Sequence, residues 1–162
     1  MSASSIIRAA AIQSLLKPFP HPLDASRVRM SASLGDQVGM TKLGIHKTTL
    51  APNMVSTVEH FHDIDDEWFY ILDGNGTLLC AGEGEDTTVS AGDFVGFAAG
   101  ERRPHAFRAG EGGMEYLVGG SREPADVCHY PLIEKTLVVT RTPEKKMTLV
   151  DTKDAQTLVR KS

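Results

Sequence analysis

From Val38 onward the chain reads as short β-like segments broken by glycine-bearing turns. Many short strands at this spacing must close into a barrel or pack as a sandwich to bury their apolar faces. Residues 43–50, 55–61, 67–72, 77–81, 87–90, 93–97, 105–108, 114–118 and 127–130 read as strands, and the tail adds 136–140, 147–150 and 157–159. Between the third and fourth of these lies Asp73-Gly74-Asn75-Gly76. Both dipeptides tolerate positive φ, so the spacing predicts a tight hairpin there. Residues 82–86 and Ala91-Gly92 predict two further turns.

The N-terminal fifth is different in texture. Ser4 or Ser5 is placed to cap a helix carrying Ile6, Ile7, Ala10, Ile12, Leu15 and Leu16, packed on the outside of the domain. Pro18, Pro20 and Pro22 end it, because proline lacks the N–H and restricts the residue before it. The expected organisation is a helix and proline-rich extension over 1–33, a barrel over 34–131, and C-terminal strands over 132–162 packed on it. At 162 residues and 41% hydrophobic content the chain supports one core rather than two.

A formal net charge of −4, with no long basic patch, speaks against nucleic-acid binding. Two scattered cysteines, Cys80 and Cys128, form neither a disulfide framework nor a zinc ribbon and fit a reducing compartment. No apolar run approaches the roughly 20 residues that span a bilayer, so no membrane partner is expected. The cytoplasm is the expected location. Arg8 and Lys17, with no acid before Asp24, leave a presequence as the alternative reading of the N-terminus.

The chemistry is concentrated in Glu59-His60-Phe61-His62-Asp63-Ile64-Asp65-Asp66-Glu67. In a strand, residues two apart share a face, so His60 and His62 point together and Phe61 points away. The loop over residues 63–66 turns the chain back and brings Glu67 beside the pair. A third imidazole, His105, arrives from downstream. Two imidazoles facing a carboxylate suit a borderline divalent metal. Asp63, Asp65 and Asp66 are alternative carboxylates, or a solvated acidic loop.

His60-x-His62-x4-Glu67-x6-Gly74 resembles the first motif of the cupin superfamily, and the segment from Gly92 to Gly100, followed by His105, resembles the second. In the second, Ala98 replaces the usual proline, and two extra residues precede His105. Leu34-Gly35-Asp36, Glu67-Trp68-Phe69-Tyr70-Ile71-Leu72 and Asp126-Val127-Cys128-His129-Tyr130-Pro131 extend the likeness to small single-domain cupins over about residues 34–131. The resemblance implies an all-β, jelly-roll barrel with one divalent transition metal ion (Fe, Mn, Ni, Zn or Cu). It implies His60, His62, Glu67 and His105 as ligands, a small-molecule substrate, and a homodimer.

The remaining candidates are weaker. His21, His46 and His129 lack partners at ligand spacing and read as structural, with His129 the one placed to approach the barrel mouth. Arg102, Arg103 and Arg108 surround His105 and could hold an anionic substrate or be solvated. Phe69, Ile71, Phe94, Phe97 and Phe107 line a cavity or fill the barrel. A metal-dependent oxygenase, or a non-redox lyase or isomerase, is the expected function, and a non-catalytic metal- or ligand-binding module is the alternative. With Glu67 occupied as a ligand, a non-redox enzyme needs a separate base that the sequence does not single out.

Overall fold

Alternation decides which way each strand faces. In the computed structural model, which describes residues 5–80 and 86–156, the strands are β1 Lys17–His21, β2 Asp24–Ser33, β3 Leu43–Leu50, β4 Phe61–His62, β5 Glu67–Leu79, β6 Thr87–Ser90, β7 Phe94–Phe97, β8 Ala106–Ser121, β9 Ala125–Tyr130, β10 Lys135–Thr140 and β11 Lys146–Asp151. Ser4, Ala81, residues 82–85 of the expected turn and residues 157–159 lie outside the described residues.

One seven-stranded sheet runs in the order β1-β2-β3-β8-β5-β6, with β7 also on β5, and a second runs β11-β10-β9-β4. Along β5, Phe69, Ile71 and Leu78 turn inward, while Tyr70 and Leu72 remain exposed. Along β8, Met114 and Tyr116 meet them, and Leu50, Val89, Phe97 and Phe107 are among those that join the buried cluster on the inward face. Burying such side chains contributes about 1.5–3 kcal/mol each, and this inward face holds the barrel closed. A smaller cluster of Val58, Cys128 and Tyr130 seats the second sheet.

The expected hairpin at residues 73–76 does not form. β5 runs straight through it, paired with β8 on one side, and shifts register between Ile71 and Asp73 and between Gly74 and Gly76. Gly74 adopts φ +75°, and a Cβ there would lie 2.4 Å from the Gly113 carbonyl oxygen. Glycine's tolerance of positive φ is used for a bulge that bends a long strand, not for a reversal. Likewise, the two strands expected at 105–108 and 114–118 are one strand, β8, whose glycines are absorbed in the bend. The expected strand over 55–61 reduces to single bridges at Val55 and His60 and the two residues of β4.

The N-terminus also departs from expectation. Helix α1, Ala9–Leu15, starts without a side-chain cap and contains no buried residue. Pro18 and Pro20 do not sit in a loop but in β1. Among the described residues that strand pairs only with β2 and forms one edge of the sheet, where a residue without an N–H is tolerated. A four-residue helix, α2 (Leu34–Gln37), then leads towards β3.

Candidate metal centre

His60 and His105 are tied to each other through their backbones, His60 N–H to the His105 carbonyl at 3.2 Å and His105 N–H to the His60 carbonyl at 3.0 Å. This bridge joins the two segments that carry the motif histidines. Glu67 opens β5 and faces inward like Phe69 and Ile71, two and four residues on.

Each imidazole has its Nδ1 engaged. His60 Nδ1–H donates to the Val58 carbonyl at 3.0 Å, and His105 Nδ1–H donates to the Arg103 carbonyl at 3.0 Å. His62 Nδ1–H donates to Asp126 Oδ2 at 2.6 Å. These acceptors occupy each Nδ1 and leave each Nε2 on the side of Glu67. The Nε2 atoms of His105, His60 and His62 lie 2.9, 3.6 and 3.9 Å from Glu67 Oε2. Ligand atoms about 2.1 Å from a common ion, at angles of 90–110°, lie roughly 3.0–3.5 Å apart, and His60, Glu67 and His105, whose donor atoms all lie within 4.8 Å of one another, fit a divalent cation, with His62 at the margin.

The rings are held on their faces as well. His105 stacks on Phe97 with centroids 3.5 Å apart and planes 4° from parallel. His60 stacks on Tyr130 at 5.6 Å. Burial works against the charge of Glu67, but the hydrogen bonds and charges of the neighbouring imidazoles hold its carboxyl well below the usual range. Burial pushes His60 down, towards the neutral form that ligates metals. For His62 burial is outweighed by the Asp126 hydrogen bond and the Glu67 charge, and its pKa is raised.

A second group, His60, His62 and Cys128, also has its donor atoms within 4.8 Å of one another, as do His60, Glu67 and His105. A thiol must lose its proton to ligate, and burial drives the Cys128 pKa strongly upward. The carboxylate-containing set is the better home for an ion.

Glu67 also borders a cavity of about 660 Å³ on the inner face of β3 and β8, whose wall includes Gly44, His46, Val118, Gly120, Arg122 and Lys145. A second space of about 440 Å³, lined by Arg29 and Ser31 among others, shares Asp36 and His46 with the first. Both volumes are in the range of small-molecule pockets, about 300–1,000 Å³.

The family model for the cupin domain matches residues 46–120, the stretch that contains His60, His62, Glu67 and His105. This chain is similar in structure to a proposed sugar phosphate isomerase from Acidithiobacillus ferrooxidans, with TM-score 0.86 and 32% identity over 96% of this chain and 97% of its own. The chain belongs to the cupin superfamily.

Two further cupin-like structures share the fold alone. One is a sugar phosphate isomerase of the cupin superfamily from Silicibacter pomeroyi, with TM-score 0.76 and 21% identity over 90% of this chain and 94% of its own. The other is the polyketide cyclase RemF from Streptomyces resistomycificus, with TM-score 0.56 and 24% identity over 68% of this chain and 76% of its own. No match was found among curated proteins.

The other residues singled out in the sequence have different places in this cupin. Asp65 is buried and accepts from Glu123 N–H at 2.9 Å and Arg141 Nη2 at 2.6 Å. Asp63 pairs with His129 Nε2 at 2.9 Å, and Asp66 Oδ1 accepts from Ala99 N–H at 2.8 Å. All three brace the loop beside the centre and none joins it. His129 stacks on Phe61, on the face of the strand opposite the motif histidines, and so does not approach the cavity. His21 is buried edge-on to Tyr130 and accepts from Leu23 N–H at 3.2 Å.

The arginine trio also lies away from the cavity. Arg103 sits over the Phe97 ring at 5.7 Å, and Arg102 and Arg108 are exposed. Of the expected cavity aromatics, Phe94 is 65% exposed and stacks on Trp68, because it shares the outer face of the sheet with Tyr70, its register partner.

Sequence reasoning missed Asp126 as the acceptor that holds His62. Asp126 is 1% exposed and, besides His62, accepts the N–H groups of Ile64 and Asp65 on Oδ1 at 3.1 and 3.2 Å. A signal was present, in that Asp126 precedes Cys128 by two and shares its strand face. Only the pairing of His62 with Cys128 brings that face to the imidazole.

Proposed function

We propose that this cupin is a metal-dependent isomerase of a small phosphorylated sugar, with His60, His62, Glu67 and His105 as the four ligands of one divalent ion. The observation that carries the reading is the approach of three Nε2 atoms to Glu67 Oε2, at 2.9, 3.6 and 3.9 Å, with each Nδ1 already engaged. The substrate class is supported by the Acidithiobacillus relative, whose likeness runs through nearly the whole of both chains.

A divalent ion held by this set supplies a Lewis acid that polarises a carbonyl oxygen. The chain's own residues do the rest. Val58, Arg103 and Asp126 fix the tautomers, so no ring has to reorient before it ligates. Phe97, Phe69 and Tyr130 exclude water from the inner side of the centre. The cavity beside Glu67 admits a substrate from the opposite side. The same reading takes the chain as a cytoplasmic homodimer.

The test is elemental analysis of protein purified without oxygen, followed by an anaerobic assay for interconversion of aldose and ketose phosphates. Bound metal with anaerobic turnover is the expected result. Bound iron with O2 consumption and no isomerisation overturns it in favour of an oxygenase. Bound metal that raises the melting temperature without any turnover overturns it in favour of a binding module.

A further inference from the structure

The chain as a whole is negative, yet one end of its cavity is not. Among the cavity-lining residues the carboxylates are Asp36 and Glu67, and the cations are Arg122, Arg141 and Lys145. Arg122 Nη1 meets Asp36 Oδ1 at 2.6 Å, and Arg141 is spent on Asp65 and on the Glu123 carbonyl. Lys145 makes no hydrogen bond or ion pair among the described residues, nor does the ring of His46, so unmatched positive charge is left at this end.

We propose that Arg122, Lys145 and His46 form an anion subsite that takes the phosphate of a phosphate monoester, while the rest of the substrate extends to Glu67. The subsite rests on the isomerase reading for its role in turnover, but its anion chemistry stands on these residues alone.

Strand register sets the spacing. Glu67 pairs with Gly120, and Gly120 pairs with Gly44, so three adjacent inward positions carry one carboxylate and two bare backbones. Arg122 lies two residues beyond Gly120, roughly 7 Å of extended chain. A Cβ on Gly44 would come 3.2 Å from Arg122 Nε and 3.5 Å from Nη2. The bare glycine lets the guanidinium lie against the wall, with Nε–H and Nη2–H still available. Arginine's planar donor fork suits phosphate, and a lysine adds a point charge.

His46 completes the wall from β3, half-buried between the two spaces that share it. Its burial, opposed by Asp36 and aided by Arg122 and Arg29, keeps the ring below its ordinary pKa. At neutral pH it therefore offers one N–H without a charge to desolvate.

The experiment titrates inorganic phosphate into the full-length protein, with and without Mn(II), by calorimetry, and follows 31P line broadening by the bound Mn(II). Saturable binding in both forms is expected, weakened at least about tenfold by Lys145→Gln and by Arg122→Gln. Lys145 is exposed and unpaired, so its variant folds even if loss of the Arg122–Asp36 pair disturbs its loop. Non-saturable binding to wild type overturns the subsite. So does binding that needs Mn(II) and is unchanged in Lys145→Gln, because the anion is then a metal ligand. Charge-dependent phosphate binding without isomerisation leaves the subsite standing and removes the isomerase reading. Isomerisation whose KM is unchanged in both variants does the reverse.

Discussion

The two ends of the site are built on different principles. At the imidazole end every non-converging ring nitrogen has a fixed acceptor, and two of the three rings are stacked on an aromatic neighbour. At the Arg122 end one cation is half engaged, one is unpaired and exposed, and the histidine between them has no hydrogen bond among the described residues. Preorganisation is spent where a small ion has strict geometric demands. Loose donors are left where an anion of variable position must be received. The difference implies that substitutions at the first end are felt as lost metal, and at the second as lost affinity for an anion.

The largest effect tests that division most directly. The double substitution His60→Ala, His62→Ala removes two of the four proposed ligands, and metal content measured by elemental analysis is expected to fall from one ion per chain to near zero. Full retention of metal would remove the centre altogether.

Next comes a pH effect at the rigid end. Burial, with help from Arg29, lowers His21 to about 4 from 6.5. The unfolded chain therefore takes up a proton below pH 6.5 that the folded chain refuses until about pH 4. The stability tied to a neutral His21 is whole above pH 6.5 and drains away as the pH falls towards 4, by up to about 3 kcal/mol. The stabilities of wild type and His21→Gln, from denaturant melts across this window, should diverge by up to that amount as the pH falls. Parallel curves would show that His21 is not held neutral by its surroundings.

A smaller change is expected from Asp126→Asn. The amide cannot accept from His62 as a charged partner, and metal affinity should drop about 10–100-fold in a competitive chelator titration. An unchanged affinity would mean that the imidazole end does not depend on its outer braces. Smallest of all, Lys145→Gln should leave stability within about 0.5 kcal/mol and metal affinity unaltered, by the same melts and titration. A loss of metal there would blur the two ends into one.

The imidazole end was legible because strand period two and a short return loop put His60, His62 and Glu67 together within eight residues. His105 entered on its resemblance to a motif, and the backbone bridge to His60 accounts for its position. The other end was not legible, since Gly44, His46, Arg122 and Lys145 meet only through the pairing of β3 with β8 and the return of the chain before β11. Arg102, Arg103 and Arg108 were attractive for their nearness to His105 along the chain. Proximity in sequence says little where a strand turns every other side chain outward. Asp73-Gly74-Asn75-Gly76 misled for a related reason. Positive φ is needed equally by a reversal and by a bulge, and only the unbroken partner strand β8 distinguishes them.

The prolines of β1 have a bearing on how copies of this chain can meet. An outermost strand is an open invitation to another extended backbone, which could add itself rung by rung and propagate into a fibre. Pro18 and Pro20 remove two rungs from that ladder, five residues long in all. An incoming strand finds gaps where it would need donors, and growth along that direction stalls. The edge of the larger sheet is thereby closed to a further strand, while the stacked Trp68 and Phe94 lie on the sheet's outer face, away from that edge.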